Sequence, residues 1–241
     1  MGNPFYVPGE GRAAAVDDLF TTVAPKYDLV NDALSLGWHR RWKRRVLRMA
    51  QARPGQTALD VCCGTGDIAV GLAREGVAVC GVDFNTAMLR RAQSRLDGIA
   101  ASVELVRADA QRLPFADGTF DIVTVGYGLR NLARWERGLE EMHRVARPGG
   151  RVVVLDFGKP DNRILRRAYF AYMKAVVPAI GWAVCRNAAA YAYILESLNH
   201  YPAQNGVAAK MRELGMKDVQ VVLLWGGIMS INFGVKAAPV G

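Results

Sequence analysis

Apolar and polar positions along the chain follow two regimes. Between residues 57 and 157, short apolar runs alternate with stretches of helical period. Residues 57–63 read as a buried strand, 67–74 as a helix, 77–84 as a strand, 86–96 as a helix and 103–108 as a third strand. Residues 120–125 give a fourth strand and 135–146 a helix; Pro148-Gly149-Gly150 then turns into a fifth strand over 151–157. Strands that alternate with helices imply a parallel sheet covered by helices on both faces.

The flanking regions are different. Residues 1 to about 12 are rich in Gly and Pro and are expected to be loose. Residues 13–52 have a helical pattern that ends at Pro54-Gly55. After the fifth strand come a long amphipathic stretch over 164–182 and shorter helical patterns over 188–198 and 207–214. Strand-like runs at 219–224 and 230–236 surround Gly226-Gly227. There is no internal repeat. The pattern predicts a single α/β domain with a mainly parallel, seven-stranded sheet whose last strand is antiparallel. An N-terminal helical cap (13–52) and a helical insertion (163–200) should cover the carboxyl edge of the sheet, where such folds bind ligands.

Chemistry gathers at that edge. The run Leu59-Asp60-Val61-Cys62-Cys63-Gly64-Thr65-Gly66-Asp67 leads a strand through Gly-x-Gly into a helix. Glycines there let the backbone pass close to a ligand. Alone, Gly64-x-Gly66-x-x-Ala69 also fits a dinucleotide fingerprint, a weak signal. Asp83 ends the second strand, where a carboxylate can accept both ribose hydroxyl protons under either reading. Asp60 precedes the glycines, where it can orient the loop or meet an ammonium, and Asp109-Ala110 ends the third strand near an adenine amino group. Asp67 at the helix start argues against a phosphate there. This ladder of acids at successive strand ends resembles the class I methyltransferases, with their Rossmann-like sheet and S-adenosylmethionine as cofactor.

Further motifs narrow the resemblance. They are 23–37 with Tyr27-Asp28-Leu29-Val30-Asn31, His39-Arg40-Arg41-Trp42-Lys43, Gly126-Tyr127-Gly128-Leu129-Arg130-Asn131, Asp156-Phe157-Gly158-Lys159-Pro160 and 191–198. Over residues 16–236 the chain resembles the ubiquinone/menaquinone-biosynthesis C-methyltransferase family. The resemblance implies C-methylation of a polyprenylated quinol ring, with Thr65, Asp83, Asp109, Ala110 and Gly126 at the cofactor and Arg130 and Asn131 facing the ring. Two departures stand out: Ser230-Ile231-Asn232-Phe233-Gly234 lacks the family's histidine, and Tyr191-Ala192-Tyr193 replaces Tyr-Arg-Tyr. The second resembles the demethylmenaquinone and demethylphylloquinone members.

Ring methylation needs a phenolate whose charge reaches carbon, and Arg130 is the candidate charge partner. Asn131 would position a hydroxyl or a water. Arg130 can equally be a structural fork for its loop, and Asn131 a helix cap. Tyr27, Asp28 and Asn31 either close over the cofactor or serve helix-start chemistry. Tyr191 and Tyr193 either line the quinol pocket or belong to the core. His39 is expected to be solvated. No general base stands out.

Composition sets the remaining bounds. The chain has 241 residues, half of them hydrophobic, and four cysteines without CxxC or zinc-like spacing, so no metal is expected. Cys62, Cys63 and Cys80 read as small hydrophobes of strands, which suits a reduced, cytoplasmic setting. No signal-peptide core is visible, and the longest apolar stretch, 175–185, is shorter than the roughly 20 residues of a membrane span. The formal charge of +9 favours an anionic partner. It concentrates in 39–45 and in Arg163, Arg166, Arg167 and Lys174. Helices at 39–48 and 163–182 mix basic with aromatic residues, as interfacial helices do. Peripheral contact at the inner face of the cell membrane is one reading, and solvated or sheet-packed helices are the other. A homodimer is left open. Competing functions are methylation of another lipophilic small molecule, a nucleic-acid methyltransferase and a non-catalytic binding protein. Nucleic acid is not expected as a partner, because Gly126-Tyr127-Gly128-Leu129 stands where amino-group methylases carry Asn/Asp-Pro-Pro-Tyr/Phe.

Overall fold

A computed structural model describes residues 11–97 and 103–238. The expected looseness of residues 1 to about 12 falls outside them, apart from Gly11 and Arg12. One seven-stranded sheet runs in the order β3-β2-β1-β4-β5-β7-β6. Its strands are β1 (Thr57–Val61), β2 (Ala78–Asp83), β3 (Val103–Arg107), β4 (Phe120–Gly126), β5 (Ala146–Phe157), β6 (Lys217–Leu224) and β7 (Met229–Val235). The pairs among β1 to β5 are parallel, and β7 lies antiparallel between β5 and β6. The carboxyl ends of β1 to β5 therefore share one edge.

Alternation along the strands builds two cores. Leu59, Val61, Val123, Val125, Val152 and Val154 face one side, against Leu139 and Met142 of α6 (Trp135–Val145) and Val207 and Met211 of α9 (Ala203–Glu213). Ala58, Ile122, Val153 and Leu155 face the other. There they meet Trp42, Val46 and Ala50 of α3 (Trp38–Ala50) and Ile68, Ala69 and Leu72 of α4 (Asp67–Arg74). Burying one such aliphatic side chain contributes about 1.5–3 kcal/mol, so the alternation fixes register as well as face.

The carboxyl edge is roofed by a third cluster. It joins α1 (Arg12–Val23), α2 (Tyr27–Ser35), α7 (Arg163–Cys185) and α8 (Ala188–His200) through Leu19, Val30, Tyr169, Met173, Tyr191 and Tyr193. Asn85, which caps α5 (Thr86–Leu96), ties α1 down by donating to Asp17 Oδ1 at 2.8 Å and Thr21 Oγ1 at 2.8 Å. Helices α7 and α8 make up the insertion, and the N-terminal helices divide between two places. Helix α3 packs on β5 and β4 beside α4 and belongs to the sheet's helical layer, leaving α1 and α2 as the cap. The basic stretch is amphipathic: His39, Trp42, Val46 and Ala50 fall on one buried face. His39 is therefore not solvated; it is buried against the Ser35 hydroxyl, 3.0 Å away. Cys62 and Cys63 lie beyond β1, in the turn.

That turn and the one after β4 approach closely. A Cβ on Gly128 would overlap the Cβ of Cys62 and lie 2.8 Å from its Sγ. Gly128→Ala is expected to destabilise the fold by roughly 1–3 kcal/mol through overpacking. Cys62 has φ +53°, so adding Cys62→Gly removes both the clash and a left-handed side chain. Thermal unfolding of the single and double variants checks this, with most of the loss recovered in the double.

Candidate active site

Every acid singled out in the sequence lies at the carboxyl edge. Asp83 ends β2 and locks the neighbouring turns, its two oxygens accepting from Gly64 N at 2.8 Å and Asn85 N at 2.9 Å. Burial pushes its carboxyl up, and those two N–H donors pull it back. Each oxygen keeps a lone pair for a further donor. Asp109, just past β3, accepts from Gln111 N at 2.8 Å. Asp83, Asp109, Ala110, Gly64, Gly126 and Asn131 line one cleft. A Cβ on Gly64 would meet nothing within 4 Å, and its φ of +55° suits glycine. Gly66 lines none of the cavities; it packs against Ala92 of α5.

A second recess continues from the cleft past Gly64, Thr65 and Asp60. Asp60 is buried and accepts from Thr124 Oγ1 at 2.7 Å and Ala69 N at 3.1 Å, so it orients the start of α4. Burial pushes its carboxyl up to about 7. A cation placed in this recess would offset that desolvation. Asp67 beside it is not a bare charge. It pairs with Lys43 at 2.5 Å and with Arg95, so the sequence argument that it would repel a phosphate does not apply. Arg95 also holds Asp28 at 2.5 Å, and Asp28 accepts from Thr65 Oγ1 at 3.0 Å. The Tyr27-Asp28-Leu29-Val30-Asn31 motif thus anchors α2 to the ends of α4 and α5. Lys43 is buried there, and its ammonium is pushed down to about 8 by desolvation.

A cavity of about 610 Å³ opens under the cap and the insertion. Its walls are apolar: Leu19, Val23, Met173, Val177, Ile194 and Met229 among others. Tyr27, Asn31, Tyr191 and Tyr193 all line it, and Tyr191 and Tyr193 are also core residues. Phe20, Tyr27 and Tyr127 line both chamber and cleft, so the two spaces meet at those rings. Exposed Leu36, Tyr172, Val176 and Trp225 form the mouth.

Arg130 is the only lysine or arginine among the described residues that line the chamber, and no carboxylate lines it. The guanidinium is buried and highly ordered by its partners. Its Nη1 donates to Asn131 Oδ1 at 2.8 Å and Ser197 Oγ at 2.7 Å, and its Nε lies 3.3 Å from Asp156 Oδ1. Phe157 stacks against it, 4.8 Å from ring centroid to Cζ. Nη2 makes no hydrogen bond to the described residues. Arg130 is therefore a structural fork with one donor face left over. Asn131 Nδ2 donates to Tyr127 O at 3.0 Å and its own backbone lies under Arg12, so it braces the turn rather than capping a long helix.

Sequence reasoning missed Asp156, Ser197, Lys43, Arg95 and Tyr127 as parts of the site. Asp156 and Tyr127 stood inside quoted motifs, but their roles depend on partners far away in the chain. Tyr127 has a left-handed backbone, φ +63°, which for a bulky residue marks local strain.

The chain matches the ubiE/COQ5 methyltransferase family over residues 9–236. It is 40% identical over 235 residues to the ubiquinone/menaquinone biosynthesis C-methyltransferase UbiE of Azotobacter vinelandii, covering 95% of this chain and 93% of that protein. The protein of the same name from Pseudomonas putida is 39% identical over 236 residues, with 95% and 92% covered. Among solved structures, a SAM-dependent methyltransferase from Aquifex aeolicus superposes with a TM-score of 0.58 at 18% identity, over 81% of this chain and 89% of that one, which shows a shared fold.

Asp60 gives the site a pH signature. Its folded pKa, about 7, lies above the ordinary 3.8. Its contribution to stability is then complete below about pH 4 and is lost as pH rises towards 7. Asp60→Asn is expected to gain stability relative to the unsubstituted protein across that window and to hold a constant difference above it. Urea unfolding at a series of pH values measures the difference, and a difference that does not change with pH refutes the assignment.

Proposed function

The chain belongs to the ubiE/COQ5 methyltransferase family, and from that premise we propose that it transfers a methyl group from S-adenosylmethionine to a ring carbon of a polyprenylated quinol of the demethylmenaquinol type. One observation carries the reading: an apolar chamber with a single buried cation meets an acid-lined cleft at Tyr27 and Tyr127. A long isoprenoid acceptor needs such a chamber, and a methyl donor without phosphate suits such a cleft.

The residues present fit the cofactor. Asp83 has acceptor capacity for ribose hydroxyls, and Asp109 with buried Ala110 stands where an adenine would lie. Asp60 offers the recess a carboxylate that a positive ammonium would stabilise. Gly64 and Gly126 leave the cleft open to a close ligand. Cap residues Asp17, Phe20 and Tyr27 lie over this cleft and close it from the cap side. When bound, the sulfonium supplies an activated methyl group.

The chain's own groups then prepare the acceptor. Arg130 Nη2 faces the ring oxygen and stabilises the phenolate, which raises charge on the ring carbon. Asp156 and Ser197 hold the guanidinium so that no reorganisation is needed. The apolar walls exclude water, which strengthens that charge interaction.

The acceptor's tail resides in a bilayer, so the mouth must reach one. No described helix is long and apolar enough to cross a membrane. The mouth is rimmed by exposed Leu36 and Trp225, and exposed Arg40, Arg41, Arg44, Arg45 and Arg48 lie on the outer face of the adjacent α3. Ile164 and Trp182 are exposed on α7 with Arg163, Arg166, Arg167 and Lys174. Anionic lipid is the surface these elements suit, at about 1 kcal/mol per basic residue near it.

The reading is tested with labelled S-adenosylmethionine and a short-chain demethylmenaquinol kept reduced. Ring-methylated product is expected, and its absence with bound cofactor overturns the acceptor assignment. Asp83→Ala is expected to weaken cofactor binding at least tenfold, about 1.4 kcal/mol, by calorimetry. Vesicle sedimentation is expected to show binding to anionic lipid at low salt and release at high salt; equal, negligible binding to anionic and neutral vesicles removes the membrane element.

A further inference from the structure

Helix α3 carries Arg40, Arg41, Arg44, Arg45 and Arg48, all exposed, and one lysine that is not. Lys43 turns inward, with 13% of its side chain exposed. A lysine close to a surface usually extends its flexible stem to keep the ammonium in water. Here Nζ is instead enclosed by groups of the recess beside the cleft. It lies 2.5 Å from Asp67 Oδ2 and 5.9 Å from the centroid of the Tyr127 ring, and it feels the charges of Asp28, Asp32 and Asp60. Asp60, Asp67 and Tyr127 all line the recess. Lys43 lines it too, and lines neither the chamber nor the cleft.

Pairing with Asp67 does not account for a buried lysine. Arg95 already bonds both Asp67 and Asp28, so those carboxylates have a cation without it. Desolvation, with Arg95 close by, outweighs the attraction of the acids and pushes the Lys43 ammonium down to about 8. That ammonium has three N–H donors, and Asp67 takes one. Asp60 shows the converse. It is buried in the same recess, its carboxyl is pushed up to about 7, and Lys43 pairs with Asp67 rather than with it. The recess therefore holds a cation that lacks an anion and an acid that lacks a cation. A zwitterion supplies both.

Resting on the cofactor reading above, we propose that Lys43 Nζ donates to the carboxylate of the cofactor's methionine arm and so selects an adenosyl sulfonium that carries the whole amino acid. The ammonium of the same arm lies towards Asp60. Contacts to adenine and ribose are common to every adenosyl thioether, so only the recess can tell a complete arm from a decarboxylated one. A charge-assisted bond to carboxylate is strong. A ligand without the carboxylate leaves the ammonium desolvated and without that partner, which makes the discrimination large. Holding the arm also fixes the sulfonium near Tyr27 and Tyr127, the two rings that line recess, cleft and chamber alike.

The test is a binding measurement that needs no turnover. Calorimetry compares S-adenosylhomocysteine with S-adenosyl-3-thiopropylamine, which lacks only the carboxylate. Both are titrated into the unsubstituted protein, into Lys43→Met, which keeps the length of the stem, and into Lys43→Gln as a second uncharged variant. The unsubstituted protein is expected to prefer S-adenosylhomocysteine at least tenfold, about 1.4 kcal/mol. In both variants that preference is expected to fall below about threefold, while the affinity for the thiopropylamine stays within about threefold of the unsubstituted value. The retained thiopropylamine binding also shows that the variant is folded. Equal binding of the two ligands by the unsubstituted protein overturns the proposal and leaves the cofactor reading standing. So does a preference that survives in Lys43→Met and Lys43→Gln. An equal loss of affinity for both ligands assigns Lys43 a structural role and overturns the proposal too. Binding of neither ligand by the unsubstituted protein overturns the cofactor reading itself, and the proposal with it.

Discussion

The site depends on one buried ion pair, Arg130 with Asp156. Asp156 lies near the end of β5 and Arg130 in the turn after β4, so the pair joins two adjacent strands at the sheet's carboxyl edge. Ser197 brings α8 to the same guanidinium, and Arg12 reaches from α1 to the carbonyl of Arg130 at 2.7 Å. Sheet, insertion and cap therefore converge on a single residue. Desolvating two charges opposes folding, and a well-packed apolar pair would often serve stability as well or better. The arrangement makes sense as a way to keep a cation, with one donor free, inside an apolar chamber where an acceptor oxygen becomes negative.

The second constraint is the meeting of two unlike spaces. The parallel strands deliver acids and tight turns to one edge, and the first two helices with the insertion roof that edge with aliphatic and aromatic side chains. Tyr27 and Tyr127 stand where the polar cleft becomes the apolar chamber. The cap is held by polar contacts, through Asn85 to Asp17 and through Asp28 to Thr65 and Arg95.

The fold was legible because its signals are local. Strand periodicity, Gly turns and caps placed the helices at Asp67–Arg74 and Thr86–Leu96 without error. The acids at strand ends were legible for the same reason, since a parallel sheet brings every strand end to one edge. The basic helix misled, because charge count hid the spacing of His39, Trp42, Val46 and Ala50, which marks a sheet-packed face. Long-range pairs were out of reach: nothing near Asp67 announces Lys43 or Arg95, and nothing near Arg130 announces Ser197. The unpartnered hydroxyl of Tyr127 is likewise a property of the packed state, invisible in the Gly-Tyr-Gly-Leu-Arg-Asn motif that carries it.

The central claim is that Arg130 serves the acceptor and that Asp156 serves Arg130. Arg130→Ala alone would strand a buried carboxylate, so the direct measurement is the Arg130→Ala/Asp156→Asn double variant, assayed for folding, cofactor affinity and turnover together. The account expects a folded protein whose cofactor affinity is within threefold of the unsubstituted chain and whose turnover is at least a hundredfold lower, about 2.7 kcal/mol of transition-state stabilisation. Near-normal turnover, or loss of cofactor binding in a folded double variant, would contradict it.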